Sequence, residues 1–231
     1  MGRRFRGCPR GTPNTSNLTK TRRDASGSEL ARLLDAVAST NPLLHLFLVM
    51  AATTGARRGQ LLALRWCDID LDRGALHFQR ALVEGPEGPV LVPTKTRRPH
   101  QVALDPSTHA LVIDRYAQVR LSVAGSPGAF VFTSDPTGER PWLSNRVTKQ
   151  FIDARRRVGL GHFRLHDLRH FMATEMLNAG VPIPIVSARL AHARASTTPN
   201  VYAHAVPGGD QHAARTIAAI LAAQGVPLGQ G

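Results

Sequence analysis

Three side chains that can bind an anion share one face at the start of a helix predicted over residues 167–179. His166, Arg169 and His170 are three and four residues apart, so they fall within about a third of the helix circumference. A guanidinium binds two phosphate oxygens at once, whereas a fixed cation beside imidazoles opposes a metal ion. The spacing therefore predicts a phosphate site, although a solvated helix face shows the same pattern. His166 and His170 also match zinc spacing, but the glutamate of a metalloprotease helix is absent between them.

Two further segments carry side chains suited to phosphate chemistry. Arg57 and Arg58 follow Thr54-Gly55, where one apolar helix ends and the next begins, and a helix N-terminus adds backbone donors that favour an anion. Tyr202 is one of only two tyrosines in the chain and follows His192 by ten residues. Taken singly, these residues also fit ordinary surface charges and a half-buried helix tyrosine.

The charge along the chain indicates a polyanionic partner. The 231 residues carry a net charge of +13, from 29 Lys and Arg against 16 Asp and Glu. Residues 1–23 hold seven basic and no acidic residues, residues 24–143 hold twelve of each, and residues 144–231 hold ten basic and four acidic. This polarised distribution favours a nucleic acid as the partner, although a basic tail together with a solvated basic face would give the same charge counts.

Cysteine usage and apolar patterning bear on the compartment. Cys8 and Cys67 are too few for a disulfide framework, which favours a reducing environment. The longest apolar stretch, Leu43–Ala52, is too short to span a bilayer, and no secretory signal follows the basic N-terminus. We therefore expect a cytoplasmic protein with no membrane partner.

Hydrophobic periodicity and cap signals predict a mainly α domain with a small antiparallel β-sheet, an α+β fold, after a flexible basic arm over residues 1–25. Ser26 and Glu29 form a capping-box signature, and Asn41-Pro42 marks the next helix start. After the helix that Ser26 opens, helices are predicted over 42–53, 58–64, 106–121, 144–158, 167–179, 182–191, 198–204 and 210–224. Strands are predicted over 67–70, 75–80, 90–93, 100–104 and 130–133. Lys95 lies between the third and fourth of these strands, where we expect a hairpin turn.

In this chain order the motifs resemble the catalytic domain of the tyrosine recombinase, or phage integrase, family over about residues 28–224. The resemblance rests on Thr54-Gly55-x-Arg57, Leu64-Arg65-Trp66-x-Asp68-Ile69-Asp70, Lys95, His166-x-x-Arg169-His170, His192 and Tyr202. It implies the tyrosine recombinase catalytic-domain fold over residues 26–231. It also implies a site-specific DNA recombinase that acts in DNA integration and recombination.

The resemblance implies covalent catalysis on a DNA phosphate. Tyr202 would attack the phosphate and leave a 3′-phosphotyrosyl link with a free 5′-hydroxyl, so the phosphoester energy is retained without a cofactor or a metal. A free tyrosine with a pKa of about 10 is a weak nucleophile at neutral pH, and the family gives the role of base to the residue matching His166. Lys95 would protonate the leaving 5′-oxygen.

The same resemblance implies the phosphate ligands and the partners. Arg57 and Arg169 would bind the non-bridging oxygens and stabilise charge in the transition state. His192 would donate a hydrogen bond to the scissile phosphate, and His170 would support the site without touching the substrate. The implied partners are double-stranded DNA and further copies of the chain in a homotetramer, with no small-molecule substrate. The setting would be bacterial or phage-encoded.

Three features depart from the family pattern. Gln60 stands where the family usually carries glutamate, which removes a charge that helps to position the first arginine. Ala191 replaces a common glycine before His192. We also expect the N-terminal core-binding domain to be absent, because only the basic arm precedes the first predicted helix, and we expect this arm to supply part of the lost grip on DNA.

Other functions fit parts of the pattern. A catalytically silent integrase remnant would bind recombination sites without cutting them, and a type IB topoisomerase would use similar chemistry to relax supercoiled DNA. A zinc hydrolase would use the two histidines of the first motif. The last predicted helix carries an apolar face that would pack either on a neighbouring protomer or on its own domain.

Overall fold

The structure, a computed structural model, describes residues 26–94, 100–191 and 208–226. The helices of this described part are α1 (Gly27–Ala38), α2 (Pro42–Thr54), α3 (Arg58–Leu62), α4 (Pro106–Val119), α5 (Ser144–Arg157), α6 (Asp167–Asn178), α7 (Ile183–Arg189) and α8 (Gly209–Ala223). The strands are β1 (Ile69–Asp70), β2 (Ala75–Phe78), β3 (Arg80–Gly85), β4 (Gly88–Pro93) and β5 (His100–Ala103). The prediction of a mainly α fold with a small antiparallel β component is confirmed.

The first two helices begin at the predicted cap residues. Ser26 Oγ accepts the Glu29 N–H at 3.2 Å, and the Glu29 carboxylate accepts the Ser26 N–H at 3.0 Å, which completes the capping box. Asn41 Oδ1 accepts the Leu44 N–H at 3.1 Å, and Pro42 occupies the first turn of α2. These caps satisfy amide groups that have no partner within the helix, so the sequence signals fix both helix starts.

The helix α2 forms the centre of the core. Every residue from Leu44 to Thr54 is buried, and α2 packs against α1, α4, α5, α6 and α8. Phe47 meets Phe132 edge to face at 5.1 Å between ring centroids and Trp142 at 6.3 Å. A helix that is apolar on all sides must be surrounded by other elements. The residues that follow α2 therefore start from a fixed point inside the protein.

Two separate antiparallel sheets replace the single small sheet that the sequence predicts. One has the strand order β1-β2-β5, and the other is the β3–β4 hairpin, in which Gly85 pairs with Gly88 around a two-residue turn. The strand predicted over 75–80 ends at Phe78, and β3 was not predicted. The expected hairpin around Lys95 is also wrong, because β4 pairs with β3 while β5 pairs with β2. Lys95 itself lies outside the described residues.

The strand predicted over 130–133 is also wrong. Phe130 forms only an isolated bridge with Arg65, whose guanidinium lies 4.7 Å from the centroid of the Phe130 ring. The Val131 N–H bonds to the Leu64 carbonyl at 3.0 Å, so this apolar run is buried by pairing with a loop rather than with a sheet. The helix predicted over 198–204 lies outside the described residues.

The last helix packs on its own domain. Its buried residues include Ala213, Ala214, Ile217 and Leu221, and α8 contacts α2, α6, α7 and β5. The buried part of the apolar face is therefore used in packing within the domain, one of the two alternatives for this helix. Within the three described stretches, no helix has the length and apolar character needed to cross a membrane.

Candidate active site

Residues from two distant segments of the chain meet in one pocket beside the end of α2. The pocket has a volume of about 250 Å³. It is lined by Phe47, Ala51, Ala56, Arg57, Arg58, Leu165, His166 and Arg169. Three of the six predicted site residues therefore converge, although Arg57 and Arg169 are far apart in sequence. The other three, Lys95, His192 and Tyr202, lie outside the described residues.

The backbone around Arg57 is fixed by the end of α2. Gly55 caps this helix in the left-handed conformation, with φ of 65°, and a Cβ there would lie 2.0 Å from Met172 Cε. Glycine is therefore favoured by its φ, and any larger residue would also have to displace the ends of the Met172 and Leu190 side chains. Arg57 has an extended backbone at the start of α3, where its N–H donates to Gln60 Oε1 at 3.0 Å. The Arg57 side chain is exposed at the pocket.

The departure at Gln60 has a structural consequence. Its buried side chain accepts the Arg57 N–H through an amide oxygen, so it positions the backbone as a glutamate would. The amide carries no charge, however, so it does not neutralise the neighbouring guanidinium. No carboxylate forms an ion pair with Arg57 in the described part of the chain.

Arg169 is buried and braced by two carbonyl groups. It is 6% exposed, and its Nη1 and Nη2 donate to the carbonyls of Gly55 at 2.5 Å and Leu190 at 2.6 Å. Burial and, after it, the charge of Arg57 lower the pKa of Arg169 from its usual range to about 10. Arg169 therefore stays protonated at neutral pH beside a second cation. A bound anion would offset both the repulsion between the two guanidinium groups and the cost of burying the charge of Arg169.

The two histidines of the first motif divide between the pocket and the helix surface. His166 precedes α6, is exposed and lines the pocket. His170 lies one turn further and packs edge to face on the His166 ring, with 4.6 Å between centroids. The predicted common face is confirmed for this histidine pair, whereas Arg169 points inward to Gly55 and Leu190.

The conformation of Ala191 explains why glycine is common at this position. Ala191 has φ of 47°, in the left-handed region where a Cβ is unfavourable. It follows Leu190, whose carbonyl accepts from Arg169, so this left-handed residue lies next to the site. The chain therefore carries strain at a residue adjacent to the predicted ligand His192.

Basic residues continue from the pocket along α5, which the sequence motifs did not reveal. Arg58 lines the pocket and donates to Thr148 Oγ1 at 2.8 Å. It also lines an adjoining groove of about 590 Å³ that contains Lys149 and Arg156 together with the acidic residues Glu84 and Asp153. The three arginines in the last turn of α5 were a visible signal, but their relation to the pocket depends on tertiary packing.

Potential metal ligands are scattered in this structure. Among residues 26–94, 100–191 and 208–226, no three His, Cys, Asp or Glu side chains are grouped so as to hold a metal ion.

Comparisons with known proteins identify the family. Residues 25–208 match the model of the phage integrase family. A tyrosine recombinase XerC-like protein of Caldanaerobacter subterraneus subsp. tengcongensis is 29% identical over 211 residues, which cover 83% of this chain and 53% of that protein. A putative prophage phiRv2 integrase of Mycobacterium tuberculosis is 30% identical over 178 residues, which cover 76% of this chain and 45% of that protein.

The fold is also shared with a solved structure. The Tn1549 transposon integrase, in complex with a circular intermediate DNA, superposes with a TM-score of 0.65 at 16% identity. The alignment covers 85% of this chain and 66% of that one. The chain spans about half the length of the curated relatives described above. Since the family model matches most of its residues, the chain belongs to the phage integrase family of tyrosine recombinases.

Proposed function

We propose that this protein breaks and rejoins DNA strands at specific sites through a 3′-phosphotyrosyl intermediate. The observation that carries the proposal is the convergence of Arg57 and Arg169 on one pocket with no carboxylate paired to either in the described part of the chain. Two guanidinium groups held side by side bind an anion with spread charge, such as a phosphodiester. The pentacoordinate transition state carries more charge than the diester, so the same pair accelerates the reaction.

The remaining roles follow from motif matches around this pair. Tyr202 attacks the phosphorus, His166 at the pocket wall removes the tyrosine proton, and Lys95 protonates the 5′-oxygen as the P–O bond breaks. His192 donates a hydrogen bond to the phosphate. The phosphoester bond to tyrosine replaces the one that is broken, so a 5′-hydroxyl can later reverse the step. Neither ATP nor a metal is required by this balance.

The groove along α5 supports a duplex as the substrate. It adjoins the pocket through Arg58 and adds Lys149 and Arg156, which outnumber the lining's acidic residues, Glu84 and Asp153, when Arg58 is counted with them. Cations spaced along a surface suit the repeating phosphates of a DNA backbone. We propose that these residues hold the strand next to the scissile phosphate, and that the protein acts as a homotetramer on two duplexes.

A suicide substrate tests the reaction. A duplex nicked next to the scissile phosphate loses a short fragment after cleavage, which traps the covalent adduct for detection on a denaturing gel. We expect an adduct with the wild type and none with Tyr202→Phe. Tyr116→Phe is the matched control, because Tyr116 is the other tyrosine of the chain and packs on Trp66, with 4.9 Å between ring centroids. Loss of the adduct in both variants, or in neither, contradicts the proposal.

The same assay separates cleavage from DNA binding alone. A silent remnant binds the duplex and forms no adduct with any variant, whereas a topoisomerase relaxes supercoiled plasmid without a partner site. The convergence of both arginines with His166 favours the active enzyme over the remnant. Sedimentation of the complex with paired sites tests the tetramer, and a complex with one protomer per duplex contradicts it.

A further inference from the structure

A second buried arginine lies behind the pocket. The Arg189 side chain, in the last turn of α7, is 0% exposed. Its guanidinium donates to the carbonyl of Thr53 at 3.1 Å, to the carbonyl of Ala103 at 2.9 Å and to Asp210 Oδ1 at 2.6 Å. One side chain therefore joins the end of α2, the end of β5 and the first turn of α8.

The two buried arginines are held by the same pair of segments. Arg169 donates to the carbonyls of Gly55 and Leu190, while Arg189 donates to the carbonyl of Thr53 and directly precedes Leu190. The last carbonyls of a helix have no intrahelical partner and carry partial negative charge, so the end of α2 attracts both guanidinium groups. Any shift of residues 189–190 against α2 therefore moves the acceptors of Arg169.

The two arginines differ in how their charge is balanced. Asp210 neutralises Arg189 and also accepts the Ala103 N–H at 2.5 Å. Its place in the first turn of α8 favours a carboxylate there. Arg169 is bonded to neutral carbonyls, so its charge stays available to an anionic ligand. His100 Nε2 holds the Arg189 carbonyl at 2.8 Å, which fixes the same backbone from β5.

We infer that Arg189 and Asp210 are a positioning pair for Arg169. The contact of Asp210 with Arg189 holds the first turn of α8 against the end of α7 and thereby fixes the position of Arg189. Because Leu190 directly follows Arg189, its carbonyl is fixed as well. This carbonyl then orients the Arg169 guanidinium toward the pocket. Release of the first turn of α8 therefore weakens phosphate binding at a site that α8 does not line. The inference deepens the proposed function, and its cleavage readout rests on that function.

Asp210→Asn tests the pair with a small change. Asparagine keeps the shape but has one acceptor oxygen for two donors, Arg189 Nη1 and the Ala103 N–H. The side chain at 210 is 36% exposed, so we expect the variant to fold with this contact weakened. DNA affinity should stay close to wild type, while adduct formation in a single turnover should slow by about tenfold or more, as expected for a misplaced transition-state ligand. Asp210→Glu, which retains the charge, should recover part of the rate. The exposed Asp114→Asn on α4 is the control and should leave the rate unchanged. A wild-type rate in Asp210→Asn overturns the inference.

A second variant tests the inference in case Asp210→Asn does not fold. Arg189→Gln combined with Asp210→Asn replaces the ion pair by neutral amides, which still offer a donor to the Thr53 and Ala103 carbonyls and an acceptor to the Ala103 N–H. We expect this double variant to fold and to cleave as slowly as Asp210→Asn. Wild-type cleavage by the double variant overturns the inference. Failure of both variants to fold also counts against it, because the pair would then serve stability alone.

A readout without DNA separates this inference from the proposed function. Inorganic phosphate is titrated into labelled protein while NMR follows the Arg169 guanidinium, assigned with Arg169→Lys. Asp210→Asn should weaken phosphate binding at this resonance by about tenfold, the same factor expected for the rate. Unchanged phosphate binding overturns the positioning role whether or not DNA is cleaved. A wild type that binds phosphate but never forms an adduct refutes only the proposed function.

Discussion

Arg57 and Arg169 have equivalent roles in the motif, but the structure predicts that only Arg169 also stabilises the fold. Lysine at 169 keeps the charge but offers one ammonium in place of the planar fork, so it cannot reach both the Gly55 and the Leu190 carbonyls. Losing one hydrogen bond to a charged donor in a buried place costs about 1.5–3 kcal/mol. Arg57 is exposed, so Arg57→Lys should change the free energy of unfolding by less than about 0.5 kcal/mol.

Urea unfolding and the adduct assay measure the two effects separately. For a chain of this size, the loss at Arg169 corresponds to a melting temperature lower by about 3–12 °C. Both variants should slow adduct formation by about 10²–10³-fold, the range seen when one donor to a transition-state oxyanion is lost. Equal stabilities of the two lysine variants would refute the bracing of Arg169 by the two carbonyls. A normal rate in either variant would refute its role as a phosphate ligand.

Three further predictions follow from single contacts. Ala191→Gly should stabilise the protein by about 0.5–1 kcal/mol, because it removes the Cβ that is strained at φ of 47°. Ala188→Gly, three residues earlier in α7, should destabilise the protein by about as much when both variants are unfolded in urea. Burial lowers the pKa of His100, whose Nε2 donates to a carbonyl. As the pH drops below about 6.5, the unfolded chain therefore binds a proton at this histidine before the folded chain does, and the free energy of unfolding should fall. His100→Gln should show a smaller fall over the same pH range. Lys149→Ala should lower the salt dependence of DNA binding by about one phosphate contact, while Arg73→Ala, at an exposed turn, should leave the slope unchanged.

Local signals in the sequence predicted local structure well. The caps at Ser26 and Asn41 set two helix starts, because each depends on residues only three positions apart. Strand pairing was predicted less well. The prediction paired neighbouring apolar runs, but β5 pairs with β2 and leaves the β3–β4 hairpin to form its own sheet. Which strands pair is decided by burial against α3 and α7, and no short window of sequence contains that information.

In the candidate site, too, the sequence predicted some residues and missed others. Arg57, His166 and Arg169 were predicted from motifs, and the structure brings them to one pocket. The supports of Arg169 were not predicted, since Gly55 and Leu190 contribute backbone carbonyls, which no residue type reveals. Arg189 was missed for a related reason. A lone arginine at the end of an apolar helix predicts solvent exposure, and only the tertiary position of the α8 carboxylate shows that its charge is neutralised inside the protein.

The end of α2 explains why this site is built into the core. Because α2 is surrounded by other helices, its last carbonyls, at Thr53 and Gly55, open into the protein interior and not into water. Buried carbonyls need donors, and two arginines supply them. If the proposed function holds, the contact that satisfies the helix end is, for Arg169, also the contact that aims the guanidinium at a phosphate. We therefore expect folding and phosphate binding to depend on the same hydrogen bonds at Arg169, and the exposed Arg57 to serve the ligand alone.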